Sequence, residues 1–173
     1  MRRKAIIVIL GLAFFIGIIV FFGYTIIEKQ HQNEKIKITK KYLPKFEFYN
    51  LDSTVYFTSL EDKSVPVIII HFNIECDHCQ SEALLIHQNF KAFTNAQLVM
   101  VAPNNPKDIL AFTVTYGISK HKEIIVLWDK DKRFVNWFGP SPFPSVYIYS
   151  KNHRLLKEYH GEVKIEAITK YIN

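Results

Sequence analysis

The sequence predicts an α/β protein in which a mixed central sheet is flanked by helices, preceded by an N-terminal β-hairpin and an N-terminal transmembrane helix. Three observations support this fold class. The chain opens with a long uncharged run, continues with short strand-like segments, and then alternates apolar strand runs with amphipathic helical stripes. Its 173 residues, 49% of them hydrophobic, are enough for one domain and a short appendage.

Residues 5–27 contain no charge and form the predicted transmembrane anchor. As a helix with a rise of about 1.5 Å per residue, this run is about 34 Å long, against about 30 Å for the hydrocarbon core of a bilayer. A cleavable secretory signal has a shorter apolar stretch that ends in a small-residue cleavage site, and the run shows neither feature. We therefore expect an uncleaved signal anchor, with cleavage as the alternative.

The charges on either side of the run predict the orientation of the chain. Three basic residues precede it, whereas mixed charge follows it. By the positive-inside rule, residues 1–4 form a cytoplasmic tail. Residues 28–42 are polar and rich in lysine, which is typical of a tether, and residues 43–173 form the domain. The predicted location is the cell (inner) membrane, crossed once, with the domain on the extracytoplasmic (periplasmic) side.

The net charge of +6 does not indicate nucleic-acid binding. Three of the 22 basic residues flank the anchor, so the rest of the chain has 19 basic and 16 acidic residues, with no arginine-rich stripe. The chain has two cysteines, Cys76 and Cys79, which are too few for the disulfide scaffold of a small secreted protein. They indicate either a functional site or a chance occurrence.

The domain begins with a predicted β-hairpin. Phe46 and Phe48 alternate with polar residues, residues 50–53 have the composition of a turn, and the strand pattern resumes at 55–58. Residues 67–72 form a β-branched run without alternation, which is typical of a strand buried on both faces in a parallel sheet. This run is the predicted central strand.

Helices and further strands complete the domain. An apolar stripe with steps of three and four residues predicts a helix from Cys76 to Phe93. Pro106 suits the first turn of a second helix that runs to about Tyr116, with Gly117 as its C-terminal cap. The remaining elements are predicted as strands at 98–101, 124–128, 145–149 and 155–160, a short amphipathic segment at 134–138, and a last helix after residue 161.

Cys76 and Cys79 stand where the central strand ends and the next helix begins, and this placement predicts redox chemistry. A thiol at a helix N-terminus faces free N–H groups and the positive end of the helix dipole, which favours its thiolate. Cys76 is therefore the predicted attacking sulfur. Cys79 lies one turn further in, on the buried stripe, where it can form a disulfide with Cys76 and resolve a mixed disulfide.

A structural disulfide, a zinc site and two buried thiols are the alternatives to a redox pair. A disulfide that closes so small a loop gains little entropy and stabilises poorly. A zinc site needs two more ligands at a recognisable spacing. His71, His78 and His87 are near in sequence, but the chain has no second cysteine pair. We therefore predict no metal site.

With these residues, the chain resembles the thioredoxin superfamily and, within it, the membrane-anchored TlpA-like branch. The resemblance runs from about Pro44 to Ile172. It rests on Pro44-Lys45-Phe46 with its hairpin, the junction Phe72…Cys76-Asp77-His78-Cys79, Glu82, and Phe143-Pro144-Ser145-Val146 at the start of a strand. The fold that it implies is thioredoxin-like.

The resemblance also implies an activity and partners. The protein would be a thiol–disulfide oxidoreductase that exchanges electrons with client proteins bearing disulfides or thiols and with a membrane electron donor or acceptor. It would be held in the lipid bilayer by residues 5–27, and no cofactor is expected. Pro144 would be a cis-proline, and its loop, with Phe143, would face the cysteines and bind the client backbone. A plain proline at a strand entry is the alternative for Pro144.

The residues around the cysteines depart from thioredoxin proper, and the departures bear on the direction of electron flow. Glu75 replaces the tryptophan before the first cysteine, and the connector from Phe72 is one residue shorter. His78 between the sulfurs resembles the oxidising members, in which an imidazole stabilises the thiolate, whereas Glu75 and Asp77 oppose it by charge. The direction stays open, with a lean to reduction because the TlpA-like resemblance spans the domain.

Three further possibilities stay open. His71 occupies roughly the position of a buried acid that exchanges protons with the second cysteine in thioredoxins, so it is either a proton carrier or a strand histidine satisfied by its neighbours. A peroxiredoxin-like peroxidase would need a Pro-x-x-x-Thr-x-x-Cys pattern, which the residues before Cys76 lack. A copper-binding chaperone of the same fold would space its cysteines one residue wider and add a distal histidine.

Overall fold

The computed structural model describes residues 2–58 and 65–172, and for residues 2–10, 12 and 13 it describes the backbone only. The chain divides into two compact units, Met1–Lys37 and Ile38–Asn173. Residue 1 of the predicted cytoplasmic tail and residues 59–64 and 173 of the predicted domain lie outside the described part of the chain.

The chain begins with helix α1, Arg2–Lys40. The apolar side chains described between Phe14 and Ile27 are exposed. Among the described residues, no helix combines the length and the apolar character needed to cross a membrane. In the predicted anchor, the side chains of residues 5–10, 12 and 13 lie outside the described part, and the anchor stays a prediction.

Helix α1 continues through residues 28–40, to which the sequence assigns only a polar tether. This segment has no glycine or proline, and most of its residues have a good intrinsic helix propensity. Side chains three positions apart also pair, such as Lys37 with Glu34 at 3.0 Å. Because the segment lacks an apolar stripe, hydrophobic periodicity could not indicate this helix.

The described residues of the second unit form seven strands: β1 (Glu47–Tyr49), β2 (Val55–Phe57), β3 (Val67–His71), β4 (Gln97–Ala102), β5 (Ile125–Trp128), β6 (Ser145–Tyr149) and β7 (Leu155–His160). They form one mixed sheet in the order β2-β1-β5-β4-β3-β6-β7. The pairs β3–β4 and β4–β5 are parallel, and the other neighbours are antiparallel. The predicted hairpin is confirmed, and the predicted central strand is β3, which lies inside the sheet between β4 and β6.

The part of this unit that the structure describes also contains four α-helices: α2 (Asp77–Gln88), α3 (Pro106–Thr115), α4 (Phe134–Phe138) and α5 (Ile165–Thr169). Helix α2 ends at Gln88, before Phe93, its predicted end, and Asn89 is its C-terminal cap. The backbone N–H and the side-chain Nδ2 of Asn89 both donate to the carbonyl of Leu85, at 3.0 and 2.8 Å. A separate 3-10 turn, Phe90–Phe93, then carries Phe93 into the core. Gly117, the predicted C-terminal cap of α3, directly follows the observed cap residue Tyr116 and turns the chain with a φ of 77°.

Strand β3 is buried along its whole length, and its side chains alternate between the two faces of the sheet. Ile68 and Ile70 pack in the core cluster that contains Cys79 of α2. Ile69 packs in the cluster on the other face, with Phe134 of α4. The strand therefore has helices over both of its faces, and the cysteines follow it at its C-terminal end.

Candidate active site

Cys76 lies in the turn between β3 and α2 and caps the N-terminus of the helix. Its backbone is extended, with φ −93° and ψ 117°, and its carbonyl accepts hydrogen bonds from the N–H groups of Cys79 and Gln80 at 2.9 and 3.1 Å. The side-chain oxygen of Asn73 accepts a bond from the N–H of Glu75 at 2.9 Å, which orders the residues before the cysteine. These bonds hold the Cys76 thiol at the start of the helix, where it is partly exposed.

The Cys76 sulfur also lies beside the loop that precedes β6. In the β3–β6 ladder His71 pairs with Ser145, so the end of β3 is next to the start of β6. The Sγ atom of Cys76 is 3.6 Å from the carbonyl oxygen of Phe143, and the Phe143–Pro144 peptide bond is cis, as expected. The sheet therefore brings the cysteine pair and the proline loop together.

Cys79 lies one turn into α2 and is buried, with 2% of its surface exposed. Burial raises the pKa of the Cys79 thiol far above its ordinary value. The neighbouring Cys76 and Glu82 raise this pKa further, whereas the backbone N–H of Asn73, 3.5 Å from the sulfur, lowers it. Both cysteines are free thiols. Cys79 therefore needs a base close by to lose its proton.

Glu82 is a buried carboxyl group close to Cys79, because residues three positions apart are neighbours on a helix. It is 1% exposed, and neither of its oxygens has a hydrogen-bond partner among the described residues. Burial, and secondarily the charge of Glu162, raises the pKa of Glu82 to about 8. In the sequence, Glu82 is notable only as part of the family resemblance. Its position on the buried stripe of the helix is a signal that could have assigned it to the site.

His71 is buried on the face of the sheet opposite to Cys79. It points away from the face of Ile70, and its ring stacks on Phe134 with 3.7 Å between the ring centroids. The ring of Phe143 is 4.6 Å away, and a cavity of about 410 Å³ opens beside both rings. The Nδ1 atom has no partner among the described residues, and burial lowers the pKa of His71 to about 3. The ring is therefore neutral and packs as an aromatic side chain.

His78 and Glu75 lie on the solvent side of the cysteines, and both are exposed. The Nδ1 atom of His78 is 2.9 Å from a carboxylate oxygen of Glu162, which lies in the loop between β7 and α5. This contact joins residues 84 positions apart, so no local pattern in the sequence could predict it. The contact pairs His78, one of the residues predicted to tune the cysteine pKa, with Glu162, which the sequence did not indicate as part of the site.

The histidines near the cysteines in sequence are not gathered around the two sulfurs. Within the part of the chain that the structure describes, no three His, Cys, Asp or Glu side chains are grouped so that they could hold a metal ion. His87 forms a hydrogen bond of 2.8 Å with His121 instead.

No protein-family model and no curated protein matches the chain. Among solved structures, it resembles a secreted disulfide oxidoreductase of Mycobacterium tuberculosis that is homologous to Escherichia coli DsbE. The TM-score is 0.62 and the identity 14%, over 73% of this chain and 93% of that one. It also resembles a thioredoxin-like protein from Porphyromonas gingivalis, with a TM-score of 0.59 and 21% identity over 75% and 91% of the two chains.

A peroxiredoxin-like protein from Aquifex aeolicus is similar to the same extent, with a TM-score of 0.62 and 14% identity. That match covers 76% of this chain and 83% of the other. The sheet order, the helices on both faces and these likenesses define a thioredoxin-like α/β fold, as the sequence predicts.

Proposed function

We propose that the protein is a membrane-anchored thiol–disulfide oxidoreductase that reduces disulfides of client proteins outside the cytoplasm through Cys76 and Cys79. The observation that carries the proposal is the asymmetry of the pair. Cys76 is partly exposed beside the carbonyl of Phe143, whereas Cys79 is buried one turn behind it. An exposed sulfur can reach a client disulfide, and a shielded sulfur can reach only the one in front of it.

In the first step, the Cys76 thiolate attacks one sulfur of the client disulfide. A mixed disulfide forms between Cys76 and the client, the client disulfide breaks, and the leaving client sulfur takes up a proton from solvent. The N–H groups at the start of α2 and the positive end of its dipole stabilise negative charge at this position. The reactivity of Cys76 thus follows from its place at the helix N-terminus.

In the second step, Cys79 attacks the Cys76 sulfur, the bond between Cys76 and the client breaks, and the leaving client sulfur takes up a proton from solvent to become a second thiol. Because burial disfavours the Cys79 thiolate, a nearby group must take the proton, and the ionised carboxylate of Glu82 is suited to this. Its oxygens have no other partner among the described residues, and its raised pKa matches a group that exchanges a proton near neutral pH. The client gains two electrons, and the protein is left with a Cys76–Cys79 disulfide.

The loop before β6 is the proposed docking site for the client. The Phe143 carbonyl lies next to the Cys76 sulfur, so a client backbone N–H bonded to it would hold a disulfide within reach. The cavity of about 410 Å³ beside Phe143 leaves room for a neighbouring client side chain. Phe143 and Pro144 would therefore position the client, and the two sulfurs would carry the chemistry.

The membrane anchor is also part of the proposal. Residues 5–27 have no charge, and basic residues precede them. The described apolar side chains of this segment are exposed, as expected for side chains that contact lipid. A protein that reduces clients must itself be reduced again, and the partner that we propose for this step is a membrane electron donor that reduces the Cys76–Cys79 disulfide.

A peroxiredoxin-like peroxidase is a second candidate, because the Aquifex aeolicus structure shares the fold. Counted back from Cys76, the peroxidatic pattern would place its proline at position 69 and its threonine at position 73, where this chain has Ile69 and Asn73. A peroxidase would consume hydrogen peroxide with dithiothreitol as the reductant. With the proposed oxidoreductase, hydrogen peroxide would be consumed no faster than in the uncatalysed reaction.

The proposal is tested by insulin reduction with the full chain in detergent micelles and dithiothreitol as the electron source. The wild type should accelerate precipitation of the insulin B chain, and Cys76→Ser should reduce the rate to that of dithiothreitol alone. Glu166→Gln, a change at an exposed position of α5, should leave the rate unchanged. Equal rates for the wild type and Cys76→Ser would refute the proposed function.

A further inference from the structure

The exposed carboxylate of Glu162 contacts the imidazole between the two cysteines. Glu162 Oε2 and His78 Nδ1 are 2.9 Å apart. A carboxylate only accepts hydrogen bonds, so Nδ1 must carry the hydrogen, whether the ring is neutral or charged. The contact therefore fixes both the tautomer of His78 and the direction in which its ring points.

The backbone around Glu162 is held in place, so the contact belongs to an ordered part of the fold. The N–H of Gly161 donates a hydrogen bond of 2.8 Å to the carbonyl of Pro144, and Gly161 turns the chain with a φ of 95°. On the other side of Glu162, Val163 is buried in the core. Glu162 is thereby fixed relative to the loop that faces Cys76.

Glu162 also acts on the buried side of the site. Its charge contributes to the raised pKa of Glu82, second to burial. One carboxylate thus influences His78 on the exposed side of α2 and Glu82 on the buried side. Glu75 and Asp77 are exposed next to Cys76, so the first turn of the helix is already acidic on its solvent side.

We infer that Glu162 is a positioning residue of the redox site: it holds the His78 imidazole and compensates its charge, which keeps the Cys76–Cys79 couple reducing. This inference rests on the proposed function. A free imidazolium two residues after Cys76 would stabilise the Cys76 thiolate, and with it the reduced form of the couple. Stabilising the reduced form makes a couple more oxidising. Pairing His78 with Glu162 removes much of this effect.

The test compares four full-length proteins in detergent micelles: the wild type, Glu162→Gln, His78→Gln and the double variant. Each is equilibrated with reduced and oxidised glutathione at pH 6, where an imidazole without a partner is mostly charged, and the fraction of the Cys76–Cys79 disulfide is measured by thiol alkylation and mass. Glu162→Gln should shift the equilibrium constant about tenfold towards the dithiol, which for a two-electron couple corresponds to about 30 mV. In the His78→Gln background the same change should shift it less than about twofold.

Glu166→Gln removes one exposed carboxylate from α5 and is the matched control, which should leave the equilibrium constant unchanged. An unchanged constant in Glu162→Gln would overturn the inference. So would a full tenfold shift that persists without His78, because the charge of Glu162 would then act directly on the sulfurs. If the wild type formed no Cys76–Cys79 disulfide in any glutathione buffer, the proposed function itself would fail.

Discussion

The carbonyl oxygen of Phe143 lies 3.6 Å from the sulfur of Cys76, although 67 positions separate the two residues in the chain. The register of the sheet explains the contact, because β3 and β6 are antiparallel neighbours in which His71 is opposite Ser145. The strand that leads to the cysteines therefore ends where the strand after the proline loop begins. As a result, a backbone acceptor lies next to the sulfur that we propose to attack the client.

Glu82→Gln is expected to slow the resolution of the mixed disulfide by Cys79, because glutamine cannot accept the Cys79 proton. The pKa of Glu82 is about 8, so its base form, and with it the wild-type resolution rate, should rise between about pH 7 and pH 9. We expect the variant to resolve about tenfold to hundredfold more slowly at pH 8 and to lack this rise. Rapid-quench trapping of the mixed disulfide as a function of pH measures both effects.

Glu166→Gln provides the control for this experiment, since it changes the same side chain at an exposed position. It should show the wild-type pH profile. If Glu82→Gln kept the wild-type rate and the rise near pH 8, Glu82 would have no part in proton transfer.

His71→Phe is expected to flatten the loss of stability at acid pH. Burial lowers the pKa of His71 from 6.5 to about 3, so between these values the unfolded chain binds a proton that the folded protein does not. The free energy of unfolding of the wild type should therefore fall as the pH falls from about 6.5 to 3, by at most about 1.4 kcal/mol per pH unit from this residue. Phenylalanine keeps the stacking on Phe134 and does not titrate.

Urea denaturation at several pH values between 4 and 7 measures this difference. His31→Gln, at an exposed position of α1, is the control and should follow the wild type. A pH dependence that is identical in His71→Phe and in the wild type would show that His71 does not resist protonation in the folded protein.

Apolar runs and helical stripes in the sequence were sufficient to predict the order of the strands along the chain and the helices of the domain. Strand β3 illustrates why. All five of its residues are buried, and a run of β-branched residues favours a buried strand over other secondary structures. The helical segment at residues 28–40 could not be found in this way because its helix propensity comes without an apolar stripe. The end of α2 at Gln88 could not be found either, because the apolar stripe continues through Phe90 and Phe93, which form a separate 3-10 turn.

The parts of the candidate site that depend on the spacing of nearby residues could be predicted from the sequence. The parts that depend on how the sheet brings distant segments together could not. The position of Cys76 and Cys79 at a helix start was visible in the sequence, and so was the spacing that makes Glu82 a neighbour of Cys79. The Glu162 contact with His78 was not visible, because it joins distant segments. The face on which His71 lies also depends on the exact register of β3, which alternation alone could not show in a strand buried on both sides.

The proposed topology predicts that the chain just after the anchor is outside the cytoplasm. Alkaline phosphatase, which is active only outside the cytoplasm, should be active when fused after Gln30, because basic residues precede the apolar run and mixed charge follows it. The same fusion without residues 2–27 should be inactive. Activity of a cytoplasm-dependent reporter such as β-galactosidase at Gln30 would contradict the topology.

Trapping of client proteins by the two cysteine variants tests the central claim, the division of roles between Cys76 and Cys79, most directly. In Cys79→Ser the exposed sulfur can still attack a client but nothing resolves the product, so covalent complexes that dithiothreitol releases should accumulate. In Cys76→Ser the remaining thiol is buried and its pKa is raised, so few complexes should form. Complexes are counted on non-reducing gels. Equal trapping by the two variants, or more trapping by Cys76→Ser, would contradict the account.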